Sequence, residues 1–343
     1  MEYLKEEFHR ELASEGNFYI IDGRLYIREH HWAPEDLLQA ISDEIFTGTF
    51  NSWLEERAES LISKADEILA KCDQVDRFAR LQQAYRRGVV TPFVGAGMCC
   101  ESGYPLWTQF LRGLRRQTGI KEEEFEHLLS NGQYEEAAQS LADFLNASFN
   151  EELENAFGRS RPIMGAIQYL PYAFDAPVIT TNYDDVLKRC YENALLPFEE
   201  TVSGHLGDAL PKFLGVGQRV LVKLHGTALT GSGRILTLRE YQQHYENHGV
   251  IKKVIKTFSS RTLLFLGCSL SVDRTIKAMA DFACENGHDN VPRHYAFLEE
   301  PESEKVRIEK RQLLSQSNIY PIWYPQGEHD ESIEALLVKL KEG

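Results

Sequence analysis

Four short segments combine residue types that can do chemistry with glycines that clear room for a ligand. The first runs Val94-Gly95-Ala96-Gly97-Met98-Cys99-Cys100 and continues to Gly103-Tyr104-Pro105-Leu106-Trp107. Gly95, Ala96 and Gly97 directly follow an apolar run, so their backbone could approach a pyrophosphate, with amide N–H groups and a helix start supplying positive potential. Cys100 stands where the fingerprint GxGxxG has its third glycine, so a plain turn is the competing reading. The second segment is Thr180-Thr181-Asn182-Tyr183-Asp184-Asp185. Asn182 and Asp184 can hydrogen-bond a ribose, an amide or a water, and helix capping is the alternative. The third, Lys223-Leu224-His225-Gly226, sets a histidine beside a glycine at the end of another apolar run. His225 is one of 11 histidines, yet its position suits a general base. In the fourth, Phe265-Leu266-Gly267-Cys268-Ser269-Leu270-Ser271-Val272-Asp273, Gly267 and Ser269 could line a second part of a dinucleotide site. Ser269 could instead cap a helix beginning near Asp273.

These segments need elements to position them. Apolar runs of strand type occupy 89–94, 177–181, 219–224, 262–267, 294–298 and 318–323. Helical patterns lie between them, such as Leu106–Gln117, Tyr134–Phe149, Arg239–Tyr245, Val250–Phe258 and Arg274–Ala283. Strands apolar on both faces and alternating with helices predict an α/β fold, a doubly wound Rossmann-like parallel sheet over residues 88–343. The long stretch between the first two runs predicts a helical insertion at about 106–170. In such a sheet ligands bind at the carboxyl ends of the strands, where all four segments fall. Residues 1–87 read as a mainly helical N-terminal appendage for oligomer or partner contacts. It would hold a hairpin around Asp22-Gly23, a helix opened by Pro34 and a second helical run from Trp53 to Leu81.

The 343 residues are 43% hydrophobic and 26% charged, the mix of a soluble globular chain, and carry a net charge of −15. Residues 1–85 hold 18 acidic and 9 basic residues, so this quarter of the chain carries −9 of the −15. Such a charge opposes direct binding of nucleic acid or of an anionic membrane. Residues 1–15 have neither a basic nor an apolar leader region, and no apolar run is long enough to span a bilayer. The six cysteines (Cys72, Cys99, Cys100, Cys190, Cys268, Cys284) show no metal-ligand spacing and read as reduced thiols, so a cytoplasmic location is expected.

Taken in order, the four segments resemble the sirtuin catalytic domain over about residues 88–300. Gly95, Ala96, Gly97, Gly103 and Pro105 match its GAG-x-S-x-x-x-G-x-P-x-F motif, with Cys99 replacing the serine and Trp107 the aromatic residue. Thr180, Asn182 and Asp184 match TQN-x-D, and His225-Gly226 match the catalytic histidine motif. The chain departs from sirtuin deacylases in lacking their four-cysteine zinc module, and Thr108 stands where they carry an arginine. It looks more like the sirtuin-like effectors of bacterial antiphage defence. That resemblance implies an NAD+ hydrolase releasing nicotinamide and ADP-ribose, with NAD as substrate and no metal. It assigns anchoring to Gly95, Ala96, Gly97, Gly267 and Ser269, positioning of ribose or water to Asn182, the nicotinamide amide to Asp184 and the general base to His225. It further implies a homo-oligomer and a possible HerA-like ATPase partner. Alternatives are an NAD or ADP-ribose sensing module without turnover, or a zinc-free protein deacylase or ADP-ribosyltransferase. The broken GxGxxG argues against a dehydrogenase.

Overall fold

A computed structural model describes residues 1–14, 38, 42–203, 208–229, 233–243, 250–270 and 274–343. The hairpin around Asp22-Gly23, the helix start at Pro34 and the Ser271–Asp273 segment lie outside the described residues. Among the described residues seven parallel strands form one sheet: β1 (Val90–Val94), β2 (Val178–Thr180), β3 (Glu200–Ser203), β4 (Val220–Lys223), β5 (Thr262–Leu266), β6 (His294–Glu299) and β7 (Ile319–Tyr324), in the order β3-β4-β2-β1-β5-β6-β7. The six apolar runs are all strands. The seventh strand, β3, has no such signature because it is an edge strand of sequence Glu-Thr-Val-Ser in which only Val202 is buried, leaving no apolar run to read.

Twelve helices of seven residues or more accompany the sheet among the described residues. They are α1 (Tyr3–Ser14), α2 (Asp43–Ala70), α3 (Val75–Arg86), α4 (Trp107–Arg115), α5 (Glu122–Ser130), α6 (Tyr134–Leu145), α7 (Ala147–Leu153), α8 (Val186–Asn193), α9 (Val250–Thr257), α10 (Arg274–Asn286), α11 (Glu304–Ser315) and α12 (His329–Glu342). The period-2 geometry of the strands divides their side chains between two cores. Val90 and Val94 of β1, Val178 of β2, Leu221 of β4 and Leu264 and Leu266 of β5 pack with α2, α3, α8 and α12 on one face. Phe93, Ile179, Val222, Leu263 and Phe265 pack with α9, α10 and Leu314 of α11 on the other.

Two helical runs are interrupted. The run expected from Trp53 to Leu81 breaks after Ala70, where Cys72 takes a φ of +61° and the chain restarts as α3. The run Tyr134–Phe149 divides at Asn146, whose φ of +51° separates α6 from α7. Helices α4 to α7 stand between β1 and β2, the place of the expected helical insertion. The division expected at residue 87 is crossed by packing: Ala65, Ile68 and Leu69 of α2 and Phe78 and Leu81 of α3 share a buried cluster with β1 and α12. The fully buried Gln74 between these helices covers the outer edge of the sheet. Its amide donates to Trp323 O at 2.7 Å and its carbonyl accepts Trp323 N–H at 2.7 Å, completing the backbone of β7.

The chain leaves β1 toward β2 on one flank and returns from β4 to β5 on the other. That reversal opens a crevice above the carboxyl ends of the central strands, the topological switch point where open α/β sheets take ligands.

Candidate functional site

The loops after β1 and β5 meet backbone to backbone in this crevice. Gly95 N–H donates to Leu266 O at 2.8 Å and Gly97 N–H to Gly267 O at 2.9 Å. A Cβ on Gly95 would lie 2.6 Å from Gly267 O, and one on Gly97 would lie 2.8 Å from the same oxygen. Gly267 has a φ of +63°, and a Cβ there would fall on the Met98 amide. The glycines are therefore required by the contact between the two loops, a reason that spacing alone does not reveal. Both glycine amides are engaged in it, so Ala96 is the residue of the three whose N–H lies outside those bonds.

The loop after β2 is held from below. Thr180 Oγ1 donates to Val94 O at 2.8 Å and accepts Asn182 N–H at 3.0 Å, which turns the chain over the end of β1. Asn182 is buried and donates from Nδ2 to Gly95 O at 3.2 Å and to Cys99 Sγ at 3.2 Å. Its Oδ1 is buried with no hydrogen-bond partner among the described residues. Asp184, also buried, accepts Val186 N–H at 3.0 Å, with Cys99 Sγ 3.5 Å from the same oxygen. Burial pushes the Asp184 carboxyl above its ordinary range, opposed mainly by the Lys223 ammonium. Burial likewise raises the Cys99 thiol well above its usual range, with the Asp184 carboxylate adding to the effect, so it stays protonated as a donor at neutral pH.

Lys223, at the end of β4, takes no role from its type or spacing. Its side chain is 1% exposed and its Nζ donates to Asp184 O at 2.6 Å, Tyr183 O at 3.3 Å and Asp185 Oδ1 at 3.1 Å. It ties the β2 loop to β4. Two residues on, His225 is buried at the cavity wall, with its Nε2 3.3 Å from the Tyr241 hydroxyl. Gly226 has a φ of +78° and a Cβ there would lie 2.9 Å from Gly233 O, so only glycine lets the chain double back beneath the histidine.

Eight of the residues singled out from the sequence reach one place. Gly95, Ala96, Gly97, Asn182, Asp184, His225, Gly267 and Ser269 all line a single cavity of about 290 Å³. Residues that sequence reasoning does not select complete it: Phe157 and Tyr134 from the insertion, Tyr183 from the β2 loop and Tyr241 from the turn after β4. Trp107 stacks with Phe110 at 5.5 Å between ring centres and lies 5.8 Å from Tyr183, giving the cavity an aromatic wall. No strand-end signal marks Tyr134, Phe157 or Tyr241, because they arrive from helical segments. Among the described residues no group of three or more His, Cys, Asp or Glu is placed to hold a metal ion, and no helix is long and apolar enough to cross a membrane.

The cavity combines an orphaned acceptor, a protonatable ring, a buried carboxyl and a backbone crevice, a set suited to binding a polar ligand against an aromatic wall and moving a proton there. Comparison with known proteins bears on which ligand that is. Residues 176–322 match the SIR2-like domain family. The chain is 23% identical over 230 residues to the NAD(+) hydrolase ThsA of Enterococcus faecium, covering 64% of this chain and 45% of that protein. It is also 23% identical over 250 residues to Defense-associated sirtuin 2 of Bacillus subtilis, covering 69% of this chain and 24% of that protein. The chain therefore spans less than half the length of these curated relatives.

Proposed function

We propose that this chain, whose residues 176–322 match the SIR2-like domain family, is an NAD+ hydrolase that depletes NAD+ as an antiphage defence effector. The observation that carries the reading is Asn182 Oδ1, a buried acceptor without a partner among the described residues, on the wall of the cavity that also holds His225 and Asp184. An orphaned acceptor of this kind costs ~1–3 kcal/mol unless a ligand O–H or N–H satisfies it. The hydroxyls of a ribose or an attacking water supply such a donor.

In the reaction the bond between ribose C1′ and the nicotinamide nitrogen breaks, and its electron pair leaves with neutral nicotinamide. Positive charge develops on the ribose in an oxocarbenium-like transition state. Asn182 Oδ1 orients the hydroxyl or water next to that carbon. Water adds to C1′ and its proton passes to His225, so NAD+ and water become ADP-ribose, nicotinamide and a proton. Asp184 accepts a hydrogen bond from the nicotinamide carboxamide. Gly95, Ala96, Gly97, Gly267 and Ser269 supply the crevice for the dinucleotide, and the aromatic wall of Trp107 and Tyr183 offers a face to a ring.

The test follows NAD+ consumption by the purified chain, with nicotinamide and ADP-ribose separated by chromatography and NAD+ binding measured calorimetrically. Equimolar products are expected, with loss of ~10²-fold or more in His225→Ala and Asn182→Ala while at least one variant still binds. NAD+ bound but recovered intact from the unmodified chain would make it a sensing module. Both variants hydrolysing at the normal rate would overturn the site assignment.

The wider setting belongs to the same proposal: a cytoplasmic homo-oligomer, with a HerA-like ATPase as partner and no direct contact with nucleic acid. The acidic N-terminal quarter supports the last point, and the resemblance to defence effectors supports the others. Light scattering of the chain, alone and mixed with a candidate ATPase, tests both assembly and partner.

A further inference from the structure

The segment that follows His225 doubles back and puts a phenol on the histidine. Ile235 N–H donates to His225 O at 3.1 Å, and Ile235 O accepts the Tyr183 hydroxyl at 2.6 Å, so residues 233–236 are pinned to the cavity wall from both sides. Glu240 then braces the turn: its carboxylate accepts Leu236 N–H at 2.9 Å, Thr237 N–H at 2.8 Å and Arg234 Nη2 at 3.2 Å. Thr237 returns the bond by accepting Glu240 N–H, which completes a capping box on the helical turn Leu238–Tyr241. From the other side, Arg239 N–H donates to Gln139 Oε1 at 3.2 Å and its guanidinium pairs with Asp143 at 3.1 Å, fastening the turn to α6 of the insertion. The outcome of this bracing is Tyr241, whose ring meets that of His225 edge-on at 5.5 Å and whose hydroxyl lies 3.3 Å from Nε2.

We propose that Tyr241 is a positioning residue for His225, selecting the tautomer and the orientation in which the ring acts as a base. A phenol is a good O–H donor and a neutral imidazole nitrogen a good acceptor. The phenol therefore donates to Nε2, which holds that nitrogen unprotonated and leaves the ring proton on Nδ1. The phenol holds the Nε2 lone pair in the resting site, and Nε2 becomes the base when that hydroxyl turns from it to the oxygen of the arriving water. The hydroxyl of Tyr241 steers the ring without itself taking part in bond breaking. The kinetic half of this inference rests on the NAD+ hydrolase reading; the Tyr241–His225 coupling does not.

The experiment uses the full chain with ¹⁵N-labelled histidine, comparing the unmodified protein, Tyr241→Phe and His225→Ala, the last to assign the His225 signals. Phenylalanine keeps the edge-on ring contact and removes only the hydroxyl. The unmodified protein is expected to show Nδ1-protonated neutral His225, and Tyr241→Phe a shift toward the Nε2-protonated form. In turnover, Tyr241→Phe is expected to lower kcat about tenfold and leave KM within about twofold. Unchanged nitrogen signals in Tyr241→Phe would overturn the coupling, and so would a normal kcat in a variant whose tautomer has shifted. If the unmodified chain does not cleave NAD+, the function reading fails while the nitrogen spectra still decide the coupling.

Discussion

Gly97 and Gly267 are in direct backbone contact: the Gly97 N–H donates to Gly267 O at 2.9 Å, and neither residue has room for a Cβ. This contact joins the loops after β1 and β5, the two strands that flank the switch point of the sheet. Replacing Gly267 with alanine would force a side chain into a left-handed backbone (φ +63°) and onto the Met98 amide. A cost of ~1–2 kcal/mol from conformation is joined by the displacement of the β1 loop. Gly267→Ala is expected to lower the midpoint of urea unfolding and to abolish NAD+ binding in calorimetry. Normal affinity in that variant would show that the loop contact does not shape the cavity.

Lys223 tests the support beneath the β2 loop. Lys223→Met keeps the aliphatic bulk but strips the donors from Asp184 O and Tyr183 O, both served by Nζ. Asp184 O is left without its donor while Tyr183 O keeps Ala228 N–H at 3.2 Å, and the expected cost is ~1–3 kcal/mol, read as a fall in unfolding free energy. It also removes the positive charge that opposes the upward shift of Asp184, so the acid limb of the activity profile should move to higher pH.

Burial of the Asp184 carboxyl makes the stability of the fold depend on pH. Its native pKa is raised above the ordinary 3.8, so as pH climbs through 3.8 the unfolded chain gives up this proton before the folded one does. The folded state then binds more protons than the unfolded state, and stability falls with rising pH across that window. Asp184→Asn keeps the oxygen that accepts Val186 N–H and removes the titration. The variant is expected to be more stable than the unmodified chain at neutral pH, to match it below pH ~3.8, and to lose NAD+ turnover. Equal stability at both pH values would contradict the cost of burying this charge.

Thiol reactivity gives an independent readout of the site. Cys72 and Cys284 are exposed, whereas Cys99 and Cys190 are buried, and burial pushes the Cys190 thiol up to about 12. Iodoacetamide at neutral pH is expected to label Cys72 and Cys284 in the folded protein, and Cys99 and Cys190 only after denaturation, as mass spectrometry of peptides would show. Early labelling of Cys99 would mean that its contacts with Asn182 and Asp184 do not persist in solution.

Six of the seven strands are legible in the amino-acid sequence, because each is buried on both faces and so leaves an unbroken apolar run. The edge strand β3 is not, since Val202 alone of its residues is buried. Helix breaks are equally hidden: Cys72 adopts positive φ without being glycine, and Asn146, of a type that tolerates positive φ, sits inside an otherwise continuous helical pattern. Of the candidate site, the strand-end residues are legible as a set. Tyr134 and Phe157 are not, because they reach the cavity from helices whose apolar positions read as ordinary core.

What the sequence by itself determined is the chemistry available and the strand ends that present it: glycines, an amide, a carboxyl and an imidazole, each following an apolar run. Residue type and local periodicity carry that information, because side-chain chemistry and strand burial are local properties. Only the tertiary structure decided which group touches which. The bond from Lys223 to Asp184 O joins residues 39 apart, that from Gln74 to Trp323 O joins residues 249 apart, and the phenol of Tyr241 comes back over 16 residues to His225. Such pairings follow from the order of strands in the sheet and the path of the loops over its edge, and no local pattern encodes either.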